Sequence, residues 1–288
     1  MDLLAPAKVN LFLHVGGPTA DGFHPICSLM AFADIGDKLD LEPGGEGLRI
    51  VGPFAHGLQT DDSNLVVRAR DALLAAAGAT ANFGLKLYKA LPVASGLGGG
   101  SSDAAATLRL VRDYLGLSID DDGLRAIAAG LGSDTPACIG ASPVIATGRG
   151  ERLATPPPMP DLAMVLVNPG VPSPTGPVYR AYDAGVLPEG ASSPVWPDAF
   201  ASSRDVVTFL KACRNDLQAP AVALAPAIGA ALDRISAEPS ALLTRMSGSG
   251  ATCFAICADS HAAIDLASRL RKAEPTWWTQ ACRLAGSA

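Results

Sequence analysis

A chain of mixed helices and strands, folded in two halves and of either the α/β or the α+β class, is what the 288 residues predict. Three observations lead there. Alternating apolar runs and Ala/Leu-rich runs of helical length interleave along the whole chain. A proline cluster, Thr155-Pro156-Pro157-Pro158-Met159-Pro160, reads as a linker and divides the sequence into residues 1–155 and 156–288. The length itself suits two domains of roughly 150 residues each.

Taken in order, residues 8–15 alternate with Val9, Leu11, Leu13 and Val15 on one face of a strand and Lys8, Asn10, Phe12 and His14 on the other. Residues 38–41 are a second strand. Asp61-Asp62-Ser63-Asn64 supplies a helix start, residues 65–77 the helix, and Gly78 its stop. Residues 83–89 alternate again. A glycine-serine loop follows, then a helix over 103–115 with Ala105, Leu108, Val111 and Leu115 in one stripe, ended by Gly116. Residues 120–129 read as a third helix. Gly132-Ser133-Asp134-Thr135-Pro136 reads as the entry to another, with proline early. Past the linker, 162–167 is a short buried strand. Residues 204–212 and 217–235 are helical, with breaks expected at Pro220 and Pro226. Residues 245–252 form a polar turn between apolar runs.

Composition narrows the function classes. Apolar residues make up 49% and charged residues 17%, which excludes a disordered chain. The net charge of −6 argues against non-specific nucleic-acid binding and leaves local phosphate sites open. Asp2 and Lys8 interrupt the start, so no secretory signal is read there, and the uncharged stretches are broken by prolines and too short for membrane spans. The six cysteines show neither CxxC nor zinc-finger spacing, and Cys253 and Cys257 lie in an apolar run as core thiols. A reducing, cytoplasmic compartment follows. With no histidine cluster, a metallohydrolase is disfavoured, as is a Ser-His-Asp hydrolase lacking a nucleophile elbow.

The strongest chemical signal is Pro92-Val93-Ala94-Ser95-Gly96-Leu97-Gly98-Gly99-Gly100-Ser101-Ser102-Asp103, lying between a strand and a helix. Glycines let the backbone approach an anion, successive N–H groups form a nest, and the following helix adds its positive end. Ser101 and Ser102 add hydroxyls. The pattern favours a polyphosphate, yet it is neither a Walker A loop nor a dinucleotide fingerprint. Lys8 with Asn10 reads either as a solvated edge strand or as part of a site. Asp134 reads either as a helix cap or as a functional carboxylate. Ser247-Gly248-Ser249-Gly250-Ala251-Thr252 reads as a hairpin turn or a second backbone cradle.

Four blocks together resemble the GHMP kinase superfamily (galactokinase, homoserine, mevalonate and phosphomevalonate kinases) over essentially the whole chain. They are Ala5-Pro6-Ala7-Lys8-Val9-Asn10-Leu11, Asp21-Gly22-Phe23-His24, the loop running into Asp103-Ala104-Ala105, and the turn at 247–252. Lys8-x-Asn10, Gly22-Phe23-His24 and Asn215-Asp216-Leu217 narrow the resemblance to members that phosphorylate a cytidine-diphosphate-linked polyol. The resemblance implies an α+β fold: an N-terminal half like ribosomal protein S5 domain 2, a ferredoxin-like C-terminal half, and a cleft for ATP and acceptor.

It further implies ATP with Mg²⁺, the loop from Pro92 to Ser102 around the triphosphate, and Asn64 near adenine. Lys8 and Asp134 would be the catalytic pair. Phe23 and Tyr179 would sandwich the cytosine, with His24 reading its edge. Asn10, Thr175, Gly248 and Ser249 would hold the rest of the acceptor. Phe23 stands where Tyr is frequent, Tyr179 where Phe is frequent, and Ser95 where Gly is often seen. No dedicated protein cage for a metal is implied, nor any nucleic-acid or membrane partner, and the chain would act as a monomer or homodimer. The competing expectations are another GHMP small-molecule enzyme, of the homoserine or mevalonate type, and a non-catalytic ligand-binding paralogue.

Overall fold

The computed structural model describes residues 1–80, 82–188 and 190–287. The chain forms two compact units whose sequences interleave: Met1–Lys8, Ile35–Val93 and Gly98–Ala141 in one, Val9–Asp34, Ala94–Leu97 and Ser142–Ala288 in the other. The long strands β1 (Asp2–Val15) and β2 (Ile26–Pro43) contribute residues to both.

In the first unit, the second half of β2 pairs antiparallel with β4 (Phe83–Tyr88), from Lys38↔Tyr88 to Pro43↔Phe83. The short β3 (Leu48–Val51) adds parallel to β4. Leu39, Leu41, Leu85 and Leu87 are buried on this sheet. Four helices accompany it: α1 (Leu65–Ala77), α2 (Gly99–Leu115), α3 (Asp121–Ala129) and α4 (Thr135–Gly140). Asn64 caps α1 by accepting from Val66 N at 2.9 Å, and Gly78 closes it in the left-handed region. The alanine-rich face of α2 buries Ala104, Ala105, Leu108 and Val111. Small residues there let neighbouring elements approach closely, and a Leu108→Ala cavity would cost about 2–5 kcal/mol.

In the second unit, β7 (Leu162–Asn168) is central and wholly buried. β10 (Trp278–Leu284) lies on one side and β9 (Cys253–Cys257) on the other, with β8 (Leu243–Met246) outside β9; every pairing is antiparallel. Helices α5 (Thr175–Asp183), α6 (Ser203–Lys211), α7 (Gln218–Leu224) and α8 (Pro226–Ser236) connect β7 to β8, and α9 (Ser260–Ala273) connects β9 to β10. That β-α-β-β-α-β order is ferredoxin-like. The first half of β2 pairs with β5 (Val144–Gly148), which pairs with β6 (Arg152–Ala154). The buried Arg245 guanidinium donates to the carbonyls of Leu11, Leu210 and Cys213, fixing β1 and the end of α6 to β8.

The α+β expectation is met, and several local expectations change. Of the breaks expected in the 217–235 helix, the one at Pro226 is found, while Pro220 lies in the first turn of α7, where its missing N–H costs no helical bond. The strands read at 8–15 and 38–41 are parts of much longer ones, β1 and β2, because backbone pairing continues where alternation stops. The solvated-edge alternative for Lys8 does not hold: Lys8, Asn10, Phe12 and His14 are all buried, so both faces of β1 are covered. The helix expected at 103 begins at Gly99, since residues 99–102 are its first turn and Gly98 its N-cap. Glycine is a poor helix former, so local propensity sets the start too late.

Candidate active site

In the first unit the Lys8 ammonium meets the Asp134 carboxylate, Nζ to Oδ2, at 2.8 Å. Lys8 is buried, while a third of the Asp134 side chain remains exposed. Asp134 occupies the N-cap position of α4 yet makes no capping hydrogen bond with its side chain, so the simple capping alternative fails. The Lys8 stem runs beside Gly98. A Cβ at that glycine would stand 2.8 Å from Lys8 Cε, and its φ of +61° lies in the left-handed region. Only glycine meets both conditions at low cost. The lysine, the carboxylate and the start of α2 therefore share one locus, where the first N–H groups of the helix have no intrahelical acceptor.

The structure sorts the loop residues. Val93, Ala94 and Gly100 are exposed; Pro92, Gly96, Gly98, Gly99 and Ser101 are half-buried; Ser95, Leu97 and Ser102 are buried. Ser102 Oγ turns inward to Cys138 Sγ at 3.5 Å. The chemistry this loop offers is carried by its backbone more than by Leu97 or Ser102 side chains. The carboxamide of Asn64 is committed locally, its Nδ2 donating to Gln59 O at 2.8 Å while its Oδ1 caps α1.

In the second unit, Asn10 N donates to Ser247 Oγ at 3.1 Å and Asn10 Nδ2 to Ser28 Oγ at 2.8 Å. Ser247 Oγ in turn donates to Gly96 O at 2.8 Å. A Cβ on Gly96 would come within 2.2 Å of Ser247 O, so residues 94–97 and the turn at 247–252 are in backbone contact. Thr252 N donates to Ser95 O at 2.9 Å, completing that seam. Asn215 braces the turn from behind, donating to Met246 O and Gly248 O, both at 2.8 Å. Ser249 meets Thr175 Oγ1 at 3.0 Å and accepts from Ser173 Oγ through its carbonyl.

Also in the second unit, the His24 ring lies 4.8 Å from that of Tyr179, and His24 Nε2 contacts Asp183 Oδ1 at 2.6 Å. Tyr179 and Asp183 sit one turn apart on α5, so one face of that helix presents both to His24. Phe23 is exposed, and the Arg149 guanidinium covers one side of its ring at 4.4 Å while pairing with Asp21. The structure thus joins Lys8 with Asp134 and Gly98, Asn10 with the 247–249 turn, Thr175 with Ser249, and His24 with Tyr179. It brings Phe23 to Arg149.

The sequence reading missed Asp183, Arg149, and a buried cluster of Lys89, Asp37 and Asp103. Lys89, closing an alternating run just before Pro92, and Asp103, ending the glycine-serine motif, carried local signals; Asp37 carried none. Among the described residues no group of His, Cys, Asp and Glu could hold a metal ion. None of their helices is long and apolar enough to cross a membrane.

Two family models match the chain: GHMP kinases N terminal domain over residues 64–141 and GHMP kinases C terminal over residues 198–276. The chain belongs to the GHMP kinases, enzymes that transfer phosphoryl groups from ATP to small molecules. Among curated relatives, it is 55% identical over 99% of both chains to the 4-diphosphocytidyl-2-C-methyl-D-erythritol kinase of Caulobacter sp. (strain K31). It is 46% identical, over 97% of this chain and 95% of the relative, to that of Hyphomonas neptunium. A crystal structure of 4-(cytidine 5'-diphospho)-2C-methyl-D-erythritol kinase superposes over the full length of both chains with a TM-score of 0.78 at 34% identity. A homoserine kinase from Cytophaga hutchinsonii, at 17% identity and a TM-score of 0.65, shares the fold.

Proposed function

We propose that this kinase transfers the γ-phosphoryl of ATP to the 2-hydroxyl of 4-diphosphocytidyl-2-C-methyl-D-erythritol. The products are the 2-phosphate and ADP, in the non-mevalonate route to isoprenoid precursors. The observation that carries catalysis is the Lys8–Asp134 pair at 2.8 Å beside the N-terminal end of α2. The full-length relatives carry the choice of acceptor. The family models fall on either side of a division into residues 1–155 and 156–288, which we take as the two halves of the enzyme.

Phosphoryl transfer runs through a loose transition state, so positioning and charge neutralisation supply most of the acceleration. Asp134 orients the attacking hydroxyl and accepts its proton. The Lys8 ammonium, paired with Asp134 at 2.8 Å, faces the charge that develops on the transferring group. ATP would enter as its magnesium complex, the metal neutralising charge on the phosphates. Backbone amides of residues 96–102 hold its phosphates, and Asn64 shapes the 59–64 turn near adenine.

Phe23 and Tyr179 stack the cytosine, worth about 1–3 kcal/mol per base–aromatic contact. His24 reads its polar edge. Asn10, Thr175, Gly248 and Ser249 line the polyol and diphosphate side. The enzyme works in the cytoplasm as a monomer or homodimer.

The test is a coupled ADP-release assay over a panel of acceptors. Turnover with the cytidyl acceptor, and a kcat/KM orders of magnitude lower with homoserine, mevalonate or the polyol lacking its cytidine, is the expected result. Equal turnover of homoserine or mevalonate, or no ADP release with any acceptor, overturns the reading.

A further inference from the structure

The mechanism leaves unused a buried charge cluster in the first unit. Lys89, just past β4, Asp37 on β2 and Asp103 on α2 are all buried. Lys89 Nζ donates to Asp103 Oδ2 at 2.8 Å and also to Asp37 Oδ2. Asp37 Oδ1 accepts from Ala90 N and Leu91 N at 2.7 and 2.9 Å. Asp103 Oδ1 is buried without a hydrogen-bond partner. Two carboxylates on one ammonium leave a net charge of −1 out of water, which is costly unless a proton joins them.

The position of the cluster gives this charge a use. Asp37 holds the backbone where the chain enters the glycine-serine loop, and Asp103 stands where that loop has become α2. The cluster therefore ties both ends of the loop. Gly99, the first residue of α2, backs directly onto it: a Cβ there would lie 3.4 Å from both Asp37 Oδ2 and Lys89 Nζ. A polyphosphate at the N-terminus of α2 adds negative charge across one backbone layer from an already anionic cluster.

We propose that Lys89, Asp37 and Asp103 form a proton-linked positioning element for the nucleotide loop, in which ATP binding draws a proton from solvent onto the Asp103 carboxyl. This rests on the reading of residues 92–102 as the loop that holds the ATP phosphates. Burial pushes the Asp103 carboxyl up to about 7; Lys89 opposes the rise, and Asp37 adds to it by its charge and a side-chain hydrogen bond. The charged groups acting on Asp103 are these two. The other titratable groups nearby are Cys138 on α4, whose thiol burial pushes up to about 12, and the paired Lys8 and Asp134.

The experiment is calorimetric titration of the full chain with ATP at saturating magnesium, between pH 6 and 8.5, in buffers of different ionisation enthalpy. The expected result is uptake of a fraction of a proton per ATP at pH 7. With it, Kd rises about threefold to tenfold from pH 6 to 8.5, the slope that proton linkage demands. Asp103→Asn, neutral throughout, should bind ATP with a pH-independent Kd near the wild-type value at pH 6 and without that uptake. Asp37→Asn serves as a second variant with the same expected loss of linkage. Adenosine, which lacks phosphates, should bind without uptake.

Wild-type protein with a flat Kd and no uptake overturns the proposal, as does equal uptake with adenosine. The loop reading is tested separately by Gly100→Asp, which should weaken ATP and spare adenosine. Unchanged ATP affinity in that variant overturns the loop assignment, and the coupling route with it.

Discussion

Lys8 and Asp134 are 126 positions apart in sequence, and neither is distinctive by itself. Their pairing is what carries the catalytic role proposed for each, which its own neighbours do not. Lys8→Met keeps the stem beside Gly98 and removes the charge; Asp134→Asn keeps the shape and removes the carboxylate. Each should lower kcat by about 10²–10⁴-fold, the range for losing one acid–base or charge-stabilising group. Melting temperature should fall in Asp134→Asn, because the buried Lys8 ammonium loses its counter-charge while the amide oxygen keeps only a hydrogen-bond acceptor beside it. ADP release and thermal melts check both halves of this expectation. If Tyr179 stacks the cytosine as proposed, Tyr179→Leu should raise KM for the cytidyl acceptor about fivefold to a hundredfold, the equivalent of a lost stacking contact. Its kcat at saturating acceptor should change far less, and initial-rate kinetics separate the two. A Tyr179→Leu variant with unchanged KM would remove Tyr179 from the acceptor site.

At the scale of elements, the start of α2 connects sequence to chemistry most directly. The loop could not be closed by an ordinary residue at 98, where the backbone is left-handed and the Lys8 stem fills the space a side chain would need. Gly98→Ala should cost about 1–2 kcal/mol for the backbone alone. It should also reduce turnover strongly, because relieving the clash displaces Lys8. Urea unfolding and the kinase assay measure these separately, and full activity in Gly98→Ala would show that Lys8 need not sit where the glycine leaves room. The turn at 247–252 behaves similarly. It reads as an unremarkable hairpin signal until Asn215, Asn10 and Gly96 are seen bonded to it.

For the molecule as a whole, two consequences follow from buried titratable groups. Asp103 is raised to about 7 in the folded protein, against an ordinary carboxylate value near 4 in the unfolded chain. The folded state then holds more protons across that window. Its contribution is greatest at the acid end and is lost as pH rises from about 4 through 7. Melting temperature should fall between pH 5 and 8, and Asp103→Asn should flatten that fall; an equal slope in the variant would assign it to other groups. The six cysteines are free. Burial raises all of their thiols, Cys138, Cys253 and Cys282 to about 12 and Cys257 to about 11. Ellman's reagent at pH 8 should therefore react slowly with native protein and titrate six thiols after unfolding, since the thiolate is the reactive form. Rapid native labelling would place a thiol in a less protected setting.

The sequence by itself determined the mixed class, most helices and the glycine-serine loop. Those features depend on local capping, apolar periodicity and backbone freedom, which are written within a few neighbouring residues. Its resemblance to a known superfamily supplied the list of site residues. Tertiary structure alone decided the true lengths of β1 and β2, the inward turn of Ser102, the commitment of Asn64 to a cap, and the burial of Lys8. It also decided the Lys89–Asp37–Asp103 cluster and the Asp183 partner of His24. Each of these depends on contacts between residues far apart in the chain, where desolvation and charge pairing act on groups whose local sequence gives no sign of them.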